Sequence, residues 1–130
     1  MVALDILSNL MSAICNAEMV RKKVVVIYPA SKLALNVLKI MKEHGYIKDY
    51  QYIEDGRGGK IRVELLGRIN KCGAIRPRFP VTKNEILEYA KQYLPSRDLG
   101  ILIISTSKGL KTHNECLKEG IGGVLLAYVY

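Results

Sequence analysis

Residues 67–80 read GRINKCGAIRPRFP, two glycines and two prolines that interrupt the hydrophobic periodicity on both sides of them. Proline lacks an N–H and fixes its own φ, and glycine punctuates helices and strands alike, so such a stretch ends one folded half and begins another. It sets the expected boundary: an N-terminal module over residues 1–68 and a C-terminal module over 69–130. A short strand near Gly73 to Arg76 fits inside the segment.

Toward the N terminus, residues 60–66 alternate Ile61, Val63 and Leu65, and residues 46–54 are equally strand-like. The DGRGG between them carries turn glycines, which predicts a β-hairpin. Before the hairpin, Ser31 caps a helix with Leu33, Val37, Ile40 and Met41 on one face, and Gly45 is placed to end it. The run VVVIY, 24–28, is β-branched and stops at Pro29, the pattern of a strand. In DILSNLMSAICNAEMV, Asp5 is a cap and Leu7, Leu10, Met11 and Ile14 recur at helical spacing.

Toward the C terminus, TKNE at 82–85 has the spacing of a capping box, and Pro95 limits the helix it opens. ILII at 101–104 is a buried type of strand, STSKGLK at 105–111 reads as a loop, and Thr112 with Glu115 forms a second capping box. That box starts a short helix which Gly120 ends, and GGVLLAYVY supplies a last strand. The predicted fold is therefore α/β of mixed α+β type: two small modules, αβαββ then βαβαβ, with short irregular connections.

At 130 residues with 49% hydrophobic side chains the chain has enough material for a core. Twenty Lys and Arg against twelve Asp and Glu give a net charge of +8, the footprint of a polyanion binder. Up to Asn70 there are 11 basic and 7 acidic residues, and beyond it 9 and 5, so each part carries +4. The charge belongs to a folded surface and not to a basic tail. The longest basic run is Arg21 to Lys23.

Cys15, Cys72 and Cys116 are odd in number and form no C-x-x-C pair, which suits a reducing, cytoplasmic setting better than a disulfide framework. No apolar stretch approaches the roughly 20 residues of a spanning helix, so neither a membrane nor an export signal is expected.

STSKG, 105–109, is the segment richest in chemistry. Ser105 and Lys108 stand as S-x-x-K, the spacing that in penicillin-recognising enzymes sets a lysine beside a nucleophilic serine, but the companion S-D-N and K-T-G elements are missing. A serine acyl hydrolase built on Ser105 and Lys108 is the enzymatic alternative. No G-x-S-x-G elbow accompanies His113, GRGGKI at 56–61 departs from a phosphate loop at both ends, and His113 with Cys116 is the closest approach to a metal pair. No cofactor, metal or small-molecule substrate is expected. Locally, STSKG remains open between a turn whose hydroxyls cap backbone groups and a surface whose hydroxyls and glycine meet a folded RNA.

Taken in order, the N-A near residue 16, PASK at 29–32, HGYI at 44–47, GRINKCGAIRPRF, LPSR, STSKG and GIGG before an aromatic end form one constellation. Over nearly its whole length the chain resembles the S8 family of small-subunit ribosomal proteins, and GRINKCG and LPSR resemble its archaeal and eukaryotic branch, with the compact ending closest to an archaeal member. The resemblance implies two small α/β modules and no catalysis. It implies a cytoplasmic, ribosomal protein that binds an irregular helical stem in the central domain of small-subunit ribosomal RNA and promotes its assembly beside neighbouring ribosomal proteins. It also implies an alternative: repression of translation by binding its own messenger RNA.

Carried over residue by residue, the resemblance places Ser105, Thr106 and Ser107 against the RNA's irregular core, with Lys108 and Gly109 at its backbone. Gly122 and Gly123 match the family's paired glycines, which would let the start of the last strand sit close to the RNA, and Ser31 and Lys32 match its PASK, where a helix start meets phosphate. Many bacterial members follow the paired glycines with glutamate; here Val124 stands there, so no acidic reader is carried over. Arg57, Lys60, Arg76 and Arg78 are ranked lower, as cations in turns or irregular segments that suit phosphate contacts.

Overall fold

In a computed structural model of the chain, residues 6–28, 31–54, 56, 59–75, 80–95 and 99–130 are described. Helix α1, Ile6–Met19, buries Leu7, Leu10, Met11 and Ile14 completely, the stripe its spacing predicts. Asp5, read as its cap, lies outside the described residues. Strand β1 is Val24–Ile27, and α2, Lys32–Glu43, opens with the Ser31 hydroxyl accepting the Ala34 N–H at 3.1 Å. Helix α2 closes on a left-handed Gly45, with the Gly45 N–H bonded to the Lys42 carbonyl and the Tyr46 N–H to the Met41 carbonyl. Two carbonyls that the helix end would orphan are thereby paired.

Strands β2, Ile47–Ile53, and β3, Lys60–Leu65, form the predicted antiparallel hairpin, and β1 pairs with the other edge of β3. The sheet order is β1-β3-β2, with a register shift between Ile47 and Asp49. Ile61, Val63 and Leu65 are buried, while Lys60, Arg62 and Glu64 alternate onto the more open face, as a period of two demands.

The chain divides into two compact units, residues 1–70 and 71–130. Ile69 is tied to the first, its N–H donated to the Glu18 carboxylate at 2.9 Å. Lys71 and Tyr130 exchange both backbone bonds, at 3.0 and 2.9 Å, and so close the second on itself.

In the second unit β4, Cys72–Ala74, β5, Pro80–Val81, β6, Ile101–Thr106, β7, Gly109–Thr112, and β8, Gly123–Val129, make one sheet in which every pairing is antiparallel. Its path is β4-β8-β6-β7, with β5 also on β8. Helices α3, Ile86–Tyr93, and α4, His113–Glu119, complete the unit. Ile75, Val81, Ile86, Ala90, Leu94, Leu102, Ile104, Cys116 and Leu125 form a core, with Tyr93, Tyr128 and Tyr130 stacked beside it. Among the described residues no helix is long and apolar enough to cross a membrane.

The fold is the mixed α+β architecture read from the sequence, with two strands added, β5 and β7. At two residues β5 is too short to carry a period. The TKNE box forms only in part: the Glu85 carboxylate accepts the Thr82 N–H and hydroxyl, each at 3.0 Å, while the Glu85 N–H goes to the Thr82 carbonyl. The segment is thus a turn ahead of α3, and the helix starts at Ile86.

Candidate nucleic-acid interface

Ile101 to Ile104 are fully or almost fully buried because β6 is an inner strand, with β8 on one side and β7 on the other. Burial relaxes at Ser105, which pairs with Val124 of β8 and Leu110 of β7. Thr106 then pairs with Gly109, and Ser107 and Lys108 are the two exposed residues of a tight turn.

The sequence reads STSKGLK as an open loop from strand to helix; the structure folds it into a β-hairpin instead. Gly109 has a φ of 107°, a conformation that costs a side-chain-bearing residue dearly and glycine little. The Thr106 hydroxyl fastens the turn, donating to the Gly109 carbonyl at 2.7 Å and accepting the Lys108 N–H at 3.1 Å. A buried-type strand followed, after two turn residues, by glycine was the available signal. The short β7, GLKT, hid it by showing no clear alternation.

This geometry sorts the three hydroxyls. Thr106 is occupied by its own turn, whereas Ser105 and Ser107 take no hydrogen bond from any described residue. Both retain a donor and two acceptor lone pairs. Beside them Lys108 is exposed and forms no ion pair among the described residues.

An S-x-x-K nucleophile and base need the two side chains on one face of a helical turn. Here Ser105 lies on a strand and Lys108 in a hairpin turn, and the enzymatic alternative loses its geometry. His113 is 2% exposed, and its Nδ1 accepts the Leu102 N–H at 3.1 Å. Burial pushes the Cys116 thiol up from its ordinary pKa, so it stays protonated at neutral pH. No group of three or more metal-ligating side chains occurs among the described residues.

Gly122 and Gly123 stand at the start of β8 for a reason of packing. A Cβ on Gly123 would run into the Ser105 carbonyl, and one on Gly122 into the Val81 carbonyl. The glycines let β8 start close against β6 and β5. Val124 follows, paired with Ser105 and Pro80.

In the first unit, the Ser31 hydroxyl is the N-cap of α2, and Lys32 is exposed at the first helical position. Lys60 opens β3 with its Nζ 5.9 Å from the ring centre of Tyr28, a cation–π distance. Tyr28 is 54% exposed. Sequence reasoning left the tyrosines unsorted; the β1–β3 register, which sets Tyr28 beside Lys60, is what singles this one out. Arg57, Arg76 and Arg78 lie outside the described residues.

The family model for ribosomal protein S8 matches residues 5–130. Among curated relatives, the small ribosomal subunit protein uS8 of Archaeoglobus fulgidus is 59% identical over 128 residues, covering 98% of this chain and 99% of its own. Those of Desulfurococcus amylolyticus and Pyrobaculum islandicum are 53% and 52% identical, each covering both chains completely. The chain belongs to the ribosomal protein S8 family, in its archaeal-type branch.

Proposed function

We propose that this chain is a primary binder of small-subunit ribosomal RNA, gripping an irregular helical stem of the central domain through the β6–β7 hairpin and promoting that domain's assembly. The chain is a structural, non-enzymatic constituent of the small subunit of the cytoplasmic ribosome, as its family is. The observation that carries the finer reading is the division of labour in STSKG: Thr106 holds the turn, and Ser105 and Ser107 present hydroxyls with no partner among the described residues beside the exposed Lys108.

Short hydroxyls on a rigid hairpin suit RNA whose stem is irregular, because unstacked base edges and 2′-hydroxyls there offer both donors and acceptors. Lys108 and Gly109 serve its phosphate backbone; Gly122 and Gly123 let the start of β8 sit close to the RNA, and Gly123 also seats β8 against Ser105 of the hairpin. Ser31, Lys32 and Lys60 supply further phosphate contacts from the first unit, and Arg57, Arg76 and Arg78 are assigned the same role from sequence alone. Neighbouring ribosomal proteins cover part of the remaining surface, and a messenger segment that folds like the stem would compete for the same hairpin.

A gel-shift titration with a synthetic copy of the stem tests this. Ser105→Ala and Ser107→Ala should each cost about 1 to 3 kcal/mol of binding free energy, the value of an unpaired buried polar group. Thr106→Ala should act through folding stability as well. Equal affinity for a regular duplex of the same length would sink the reading, as would unchanged binding by both serine variants.

A further inference from the structure

Helix α1 ends on an arginine where a glycine is the comfortable choice. Past Met19 the Arg21 N–H bonds the Glu18 carbonyl at 3.1 Å and the Lys22 N–H bonds the Ala17 carbonyl at 2.9 Å. This is the double closure usually built around a left-handed glycine. Arg21 adopts that conformation itself, with φ 59°, and it alone does so among the described residues that carry a side chain. A residue held in a strained conformation at a surface is a pointer to function.

The strained turn displays a compact set of side chains. Met19 and Val20 are 74% and 65% exposed, and Arg21, Lys22 and Lys23 are exposed beside them. No described residue forms an ion pair with the three cations. The nearest carboxylate in sequence, Glu18, is held by the Ile69 N–H at 2.9 Å. Three adjacent positive charges therefore stand on this turn without an ion-pair partner among the described residues.

We infer that this α1–β1 turn is a further RNA contact of the first unit, in addition to Ser31, Lys32 and Lys60, with Arg21 gripping backbone phosphate. The inference rests on the reading of the chain as an RNA binder and adds a site to it. Phosphate is the complement of the charge, and an arginine fork meets two phosphate oxygens at once, which a lysine cannot do. Lys22 and Lys23 extend the track to adjoining phosphates. Met19 and Val20 form an apolar shoulder against the sugars of the wide, shallow RNA minor groove.

The decisive variant is Arg21→Gly in the full chain, because it separates affinity from stability. Glycine relieves the left-handed conformation, so the thermal midpoint should not fall. Affinity for the synthetic stem at 0.15 M salt should drop about 3- to 10-fold, and the salt slope should shrink by about 1. Arg21→Lys, which keeps the charge, should recover part of the loss. Arg21→Gly binding like the wild type, or losing affinity together with a lowered midpoint, would overturn the proposal. If the wild type itself fails to prefer the stem over a regular duplex, the hairpin reading falls, and the Arg21 contact is then scored on the duplex. A wild type that prefers the stem beside an unaffected Arg21→Gly removes the turn alone.

Discussion

A single missing methyl group decides how the hairpin is seated. Gly123 lies where its Cβ would strike the Ser105 carbonyl and come within 2.8 Å of the Ile104 Cγ2, so the strain of any side chain falls on the backbone of an inner strand. Backbone hydrogen-bonded on both sides moves reluctantly, and overpacking of this kind costs about 1 to 3 kcal/mol. Gly123→Ala should therefore lower unfolding stability by that amount in a urea titration. A variant that stays fully stable and loses RNA affinity alone would mean that the glycine makes room for RNA and not for β6. The paired glycines were legible as a motif, but their packing partner was not, because Ser105 lies eighteen residues back.

Helix α4 takes over where β7 stops. Thr112 is both the last residue of β7 and the N-cap of α4: its hydroxyl accepts the Glu115 N–H at 3.3 Å, and the Glu115 carboxylate reaches back to the Thr112 N–H at 3.3 Å. The next residue, His113, would continue the ladder if β7 went on; its ring does so instead, through Nδ1 on the Leu102 N–H. An Nδ1 that accepts carries no proton, so in the neutral ring the proton is on Nε2. Thr112→Ala should cost about 1 kcal/mol, the usual value of a cap. His113→Ala should cost more, since it leaves a buried N–H unpaired at about 1 to 3 kcal/mol and opens a cavity besides. Chemical denaturation that ranks the two variants the other way would contradict this account of the strand end. The capping box was readable from the T-x-x-E spacing, whereas the histidine's role depends on β6 lying alongside.

Across the whole molecule each unit carries an ion pair that titrates in acid. Lys42 lies 3.0 Å from Asp49 and Lys111 lies 3.0 Å from Glu119, and each lysine holds its partner's carboxyl below the ordinary value, 3.8 for the aspartate and 4.5 for the glutamate. Glu85 is lowered as well, first by the Thr82 N–H and then by the Thr82 hydroxyl. A lowered carboxyl lends stability that is fully present above its ordinary pKa and is lost as pH falls through the folded value. Lys111 is raised above 10.5 by Glu119, and its contribution is lost only as pH rises through that higher value. Between these limits the pairs are intact. Lys111→Gln should return the Glu119 carboxyl toward 4.5 in an NMR titration and soften the decline of stability in acid. A Glu119 titration unchanged by the substitution would assign the shift to another neighbour. Glu119 is at the surface and Lys111 half-buried, so salt should shrink the effect only in part.

The sequence by itself determined every helix, the β2–β3 hairpin, the inner strand at 101–104, the last strand and the family. Those signals are local, a period of 3.6 or 2, a cap or a turn glycine, and the ordered motifs survive in one dimension. Tertiary structure alone decided what STSKG is. Whether five polar residues form a loop or a hairpin depends on a neighbouring strand that can accept their backbone bonds, and which hydroxyl remains free depends on which one the turn consumes. The same holds for the paired glycines and for Arg21, whose significance lies in a backbone angle that only the closure of α1 onto β1 imposes.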